Sequence, residues 1–289
     1  MSGNYFTREL GRILRRSPLS HLGSLAVTTL LFALFNLIWI GSRAADRYYE
    51  QLVSSLTMEL FFEAEEIDDN LSRRIAILEK TPGVSSVEII SKDRARERLR
   101  ERLGIDYLSK EKRNPLPISA LLSFQFGFPS SESMGALERK FKAWEEVRDV
   151  SYSRLWLKTV ENNREIIRNA LIILLSATLV GAMLNVAVLS ALLIGGKSNH
   201  LRQLRLLGAG GARLGAPYLV EGAALATLSA SLSWALLLWA SSQLELPALI
   251  RESGPPINEI LILISAAATL GFTGALFAVI RSLGKNREK

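Results

Sequence analysis

The sequence predicts an integral membrane protein with four transmembrane α-helices and one α+β domain outside the cytoplasm, a ferredoxin-like split βαβ sandwich carrying a small helical insert. Three observations predict it. Four uncharged stretches each reach the ~20 mostly apolar residues that a bilayer crossing needs. The short segments beside them are basic on one side only. The long stretch between the first and second of them reads as two strand–helix–strand halves.

The chain has 289 residues, 48% hydrophobic and 22% charged, with a mean hydropathy of +0.20. That length accommodates two modest units. Residues 43–165 hold 21 basic and 22 acidic side chains, whereas all other segments together hold 14 and 6. The net +7 therefore sits in short pieces beside apolar runs rather than on a folded face, and no nucleic-acid partner is expected. Cysteine is absent, which excludes disulfide frameworks, thiolate metal sites and cysteine nucleophiles. With only His21 and His200, most histidine-based catalysis is excluded too.

Residues 1–21 place Tyr5, Phe6, Leu10, Ile13 and Leu14 on one side of a helix and arginines on the other, a helix lying in the membrane interface among lipid headgroups. Transmembrane segment one follows at 22–42. Its apolar core is longer than the roughly 7–15 residues of a signal-peptide core, so it reads as a span. Segment two covers 166–195, segment three 216–244 and segment four 260–280. The first 21 residues, the 196–215 loop and the 281–289 tail are all basic, while the 245–259 link carries more acids than bases. Basic loops stay cytoplasmic, so both termini are expected inside and residues 43–165 outside.

Within 43–165, Leu56–Phe62 reads as a strand and Ile67–Lys80 as a helix with Leu71, Ile75 and Leu78 on one face. Val84–Ile90 is a second strand, after a Pro82–Gly83 turn. Ala120–Phe128 reads as a third, with Leu122, Phe124, Phe126 and Phe128 alternating. Glu132–Glu146 is a helix (Leu137, Phe141, Trp144) and Val147–Leu155 a last strand. Between the halves lies the insert, 91–117. Its helix, Asp93–Leu103, has a thin stripe of Ala95, Leu99 and Leu103, followed by Ile105, Tyr107 and Leu108. Such a short piece buries its own apolar groups poorly, so these residues either pack on the domain or meet a partner. Trp156–Arg168 reads as a helical stalk running unbroken into segment two.

The catalytic look-alikes fail on spacing. Ile194-Gly195-Gly196-Lys197-Ser198 mimics a phosphate-binding loop, but Ala191 stands where that loop needs glycine and a membrane helix precedes it. Gly208-Ala209-Gly210-Gly211 lacks the third glycine of a dinucleotide fingerprint, since position 213 is Arg213. Glu63, Glu65, Glu66, Asp68 and Asp69 lack the glycine and distal glutamate of a calcium loop. The chain reads as a non-catalytic subunit without cofactor or metal.

The 196–215 loop is the most specific stretch. Leu201, Leu204, Leu207 and Gly208 form a short apolar stripe on a helix that stops at glycine, suited to docking a cytoplasmic protein or resting on lipid headgroups. Arg205-Leu206-Leu207-Gly208-Ala209, followed by Pro217-Tyr218-Leu219-Val220-Glu221-Gly222, resembles the hallmark of the FtsX family, the membrane subunits of bacterial FtsE–FtsX division complexes, within the MacB-like permease superfamily. Thr81-Pro82-Gly83-Val84, Val87–Lys92 and Asn114–Pro117 are similar as well, and so is the order of one span, outer domain and three spans. One departure is the loop helix, Ser198-Asn199-His200-Leu201, where family members carry acids.

The resemblance implies a separate FtsE-like ATPase, which binds the ATP, docked on His200, Leu201, Leu204, Arg205, Leu207, Gly208 and Ala209. It implies two copies of this chain with two ATPases, in the inner membrane at the division septum. Outside, it implies a peptidoglycan hydrolase or its coiled-coil activator, for which Leu99, Leu103, Ile105, Tyr107 and Leu108 are the expected contacts. Pro217, Glu221 and Gly222 are expected to be structural at the membrane interface, with Glu221 snorkelling or pairing with Arg205 or Arg213. Ala177, Gly181, Ala223, Ala226, Ser229 and Ser233 offer a small-residue seam for pairing chains. The competing readings are an exporter permease for a lipid or lipoprotein, and a membrane scaffold that works without an ATPase.

Overall fold

The structure, a computed structural model, describes residues 18–64, 69–103, 114–207, 210–243 and 254–284. The chain divides into two compact units, Met1–Ala44 with Arg168–Lys289 and Ala45–Ile167. The described elements run α1 (Pro18–Ser54), β1 (Thr57–Phe62), α2 (Asp69–Glu79), β2 (Val84–Ile90), α3 (Lys92–Leu103), β3 (Ile118–Phe124), α4 (Ser131–Lys142), β4 (Val147–Ser151), α5 (Arg154–Gly195), α6 (Ser198–Leu206), α7 (Gly211–Gln243) and α8 (Ile257–Gly284). Four of them, α1, α5, α7 and α8, are long and apolar enough to cross a membrane.

The α+β unit is built on one antiparallel sheet in the order β2-β3-β1-β4. Side chains of a strand alternate between faces, so every second residue of β1 enters the core: Met58, Leu60 and Phe62 are buried opposite Leu122, Ala120 and Ile118 of β3. Leu71, Ile75 and Leu78 of α2 and Met134, Leu137 and Phe141 of α4 complete that core, spaced three or four apart as one helix face requires. The unit also takes in the chain on either side of the sheet: Val53 at the end of α1 and Leu157 near the start of α5 are fully buried in the same cluster.

Several boundaries differ from the sequence expectation, for local reasons. The third strand spans Ile118–Phe124, not Ala120–Phe128. Gly127, at φ +76°, turns the backbone, leaving Phe126 63% exposed, while Phe128 folds back to stack on Phe124 at 5.8 Å between ring centres. The alternation of phenylalanines thus continues past the end of the strand without marking one. Helix α4 stops at Lys142, and Trp144 sits on the following turn, edge-on to Phe141. Ser130 caps the other end in a reciprocal pair with Ser133, serine standing where a glutamate is more usual. The last strand ends at Ser151, because the chain already enters α5 at Arg154.

The insert helix α3 is tied to the sheet by charge. Glu88 of β2 lies opposite Leu121, on the face away from Val87 and Ile89 of the core, and accepts from Arg98 at 2.7 Å and pairs with Arg94 at 3.1 Å. Arginines four apart occupy one helix face, which explains the shared acceptor. Leu99 is half-buried. The expected partner contacts Ile105, Tyr107 and Leu108, and the side chain of Leu103, lie outside the described residues.

The start of α5 is gripped similarly. Glu161 accepts from the Ser131 backbone N–H at 2.7 Å and from the Ser131 hydroxyl, placing a carboxylate at the α4 N-terminus where the helix dipole favours it. Arg164 reaches Asp46 at 2.9 Å and lies over the Tyr49 ring. Glu138, nearly buried, takes Lys142 at 3.2 Å and also Arg154. Burial alone would raise the Glu138 carboxyl, but the hydrogen bonds from Lys142 and Arg154 outweigh it and hold it below its ordinary value.

Two predictions follow from this packing. A Cβ at Gly83, whose φ is +86°, would sit 2.1 Å from the Phe128 ring, so Gly83→Ala should destabilise this unit by roughly 1–3 kcal/mol in denaturant titration. Because Glu138 titrates lower when folded, its contribution is present above its unfolded value and fades as pH falls through the folded one. Glu138→Gln should therefore cost about 1 kcal/mol at pH 7 and flatten the loss of stability with acid, the two proteins converging in melts once Glu138 is protonated in the folded chain.

Candidate functional site around the loop helix

Gly195 and Gly196 end α5, and the chain turns through Lys197 directly into α6. This nine-residue helix is amphipathic, and its apolar face is turned inward. Leu201 is 4% exposed among Ile194, Leu214, Tyr218 and Val279, with Leu204 partly buried against the same cluster. Leu206 and Leu207, by contrast, are 82% and 83% exposed. The stripe expected to dock a partner is divided in this chain: Leu201 and Leu204 face Leu214 and Tyr218, as helical spacing allows. Leu207 remains at the surface, joined by Leu206, which the stripe had omitted. The side chains of His200 and Arg205, and residues Gly208 and Ala209, lie outside the described residues.

Pro217, Glu221 and Gly222 are all buried within the helical unit. Glu221 does not pair with Arg213, which is exposed. Instead His21 Nε2 and Glu221 Oε1 share a hydrogen bond of 2.5 Å, joining α1 to α7. Gly222 serves contact between helices: a Cβ there would lie 2.7 Å from Ala275 Cβ and 2.8 Å from the Gly271 carbonyl. Gly271 meets the Gly222 carbonyl in turn, and Gly274 faces the Met183 backbone, so α8 packs backbone-close on both α7 and α5.

A second set of polar side chains, unforeseen from sequence, lies inside the same unit. Asn185 on α5 donates to Ser24 Oγ at 3.0 Å and Thr28 Oγ1 at 2.8 Å on α1, and Asn36 donates to Ser233 Oγ at 3.0 Å on α7. An asparagine inside an apolar span is itself a signal, since its amide needs a partner on another helix, but a search for missing charge does not register it. Ala226, Ser229 and Ser233, expected to pair two chains, are buried within this one. Beside Asn36 is an apolar cavity of about 130 Å³ lined by Phe32, Leu179, Trp234 and Ala267. Among the described residues no group of three acidic or histidine side chains could hold a metal ion.

Residues 55–164 match the family described as the FtsX extracellular domain. No curated protein matches. A crystal structure of extracellular domain 1 of FtsX from S. pneumoniae, in complex with undecyl-maltoside, is similar at 17% identity and a TM-score of 0.28, over 33% of this chain and 92% of that one. The family match covers nearly all of the α+β unit, and four helices long and apolar enough to cross a membrane accompany it: the α+β unit is similar to the FtsX extracellular domain, on a chain that fits a multi-pass membrane protein.

Proposed function

We propose that this chain couples ATP hydrolysis by a separate, FtsE-like cytoplasmic ATPase to movement of its extracellular domain, activating peptidoglycan hydrolases, directly or through a coiled-coil activator, at the septum. The observation that carries the reading is the FtsX extracellular domain on a chain whose loop helix presents Leu206 and Leu207. Two bulky apolar side chains beside arginines suit a docking contact, with apolar anchors supplying affinity and charge setting orientation. The ATP belongs to the partner, and two copies of the chain would serve two ATPases.

The orientation, termini inside and the α+β unit outside an inner membrane, rests on the basic loops and on the extracellular character of the matched domain. The β2-β3-β1-β4 order, with one helix in each half, supports reading that domain as a ferredoxin-like split βαβ sandwich. Contacts to the hydrolase or activator would come from Leu99, Leu103, Ile105, Tyr107 and Leu108.

The test is affinity purification of the full chain in mild detergent with mass spectrometry. A stoichiometric small ATPase with a hydrolase or activator is expected; lipoprotein or lipid cargo in its place would favour an exporter, and no ATPase would overturn the reading. Joint replacement Leu206→Asp and Leu207→Asp should cut ATPase recovery at least ten-fold at unchanged membrane insertion. Leu204→Asp should instead lower the yield of folded chain, because it places a charge against Tyr218 and Leu214.

A further inference from the structure

We propose that His21 and Glu221 form a positioning clasp that fixes α1 against the helical corner carrying α6, so that displacement of the loop helix moves α1. This deepens the proposed function and rests on it for the ATPase, though not for the clasp itself.

The geometry comes first. His21 lies in the first turn of α1 and Glu221 in α7, 200 residues apart, and they meet at 2.5 Å with 9% and 7% of their surfaces exposed. Both belong to helices able to cross a membrane, a setting in which ionisable side chains are expensive to keep. Their net contribution to stability is an insufficient reason to keep them. A buried pair repays its desolvation poorly, and apolar residues of like volume do as well, whereas removing one partner leaves an uncompensated group and is costly. A buried pair is thus a weak stabiliser and a strong selector of one arrangement.

The pair is also wired to α6. Tyr218, one turn before Glu221, is packed against Leu201 in the cluster with Leu214 and Val279. Glu221 is therefore reached from α1 by His21, while its own helix carries the seat of the loop helix. Glu221 Oε2 has no hydrogen-bond partner among the described residues, leaving an acceptor for a different donor when the corner shifts. A push on α6 reaches the helix of Glu221 through the cluster that holds Leu201 and Tyr218, and passes onward to α1 through His21.

The native chain lacks cysteine, so spin labels can be placed at will. Labels on the exposed Gln203→Cys (α6) and Leu30→Cys (α1) should give one narrow distance in the otherwise native full chain. His21→Ala and the near-isosteric Glu221→Gln should broaden it, and the exchange His21→Glu with Glu221→His should narrow it again. In the complex, both single variants should recover the ATPase at native stoichiometry yet lose about ten-fold in ATP turnover, with the exchange restoring most of it. An unchanged distance in the single variants overturns the clasp. So does parallel loss of melting temperature and ATPase recovery in Glu221→Gln, the mark of a merely structural pair. If the native chain recovers no ATPase, the proposed function fails, while the distances still decide the clasp.

Discussion

Inside a bilayer, apolar surface gains nothing by leaving lipid for protein, so helices that cross it are held by two other means: backbones that come very close, and polar groups with nowhere else to turn. Both are concentrated in this helical unit. Gly222 and Gly271 bring α7 and α8 together where no side chain intervenes, and Gly274 does the same toward Met183 of α5. Asn185, Asn36 and the His21–Glu221 pair tie α1 to α5 and α7 by hydrogen bonds. The apolar side chains left exposed on these helices, such as Leu30, Ile173, Leu192 and Ile262, make no comparable contact within the unit and could be exchanged for other apolar residues with little consequence.

The α+β unit obeys ordinary aqueous rules. Its core is filled by alternating residues of a four-stranded sheet and by one face each of α2 and α4, and burial of that apolar surface is the driving term. Charged contacts there do something different. Glu88, Glu138, Glu161 and Arg164 each tie one element to another, and partly exposed contacts of this kind add little net energy. Their role is to fix α3 on the sheet and the first turns of α5 on the domain.

Much of this was legible in the sequence, because hydrophobic period is a direct projection of burial. The alternation in Leu56–Phe62 and the Leu71, Ile75, Leu78 spacing gave the right faces. Phe126 and Phe128 misled because period alone cannot register a left-handed glycine between them. At the loop helix the apolar stripe was found, but its direction was not: Leu201 and Leu204 look the same in sequence whether they face a partner or Tyr218. Glu221 was noticed as costly, but its partner lies 200 residues away, and no local pattern announces such a pairing.

The family boundaries and the folding boundaries of the α+β unit do not coincide. The matched segment is 55–164, yet Val53 is part of the hydrophobic core, Tyr49 packs against it, and Arg164 at the far edge holds Asp46 and Tyr49. A fragment excised at the family limits would lose a core side chain and expose the surface it covers, while one spanning 45–167 keeps the whole set. What sequence descent marks as the module is thus smaller than what physics requires of it. The missing margin is supplied by the ends of helices that also belong to the membrane.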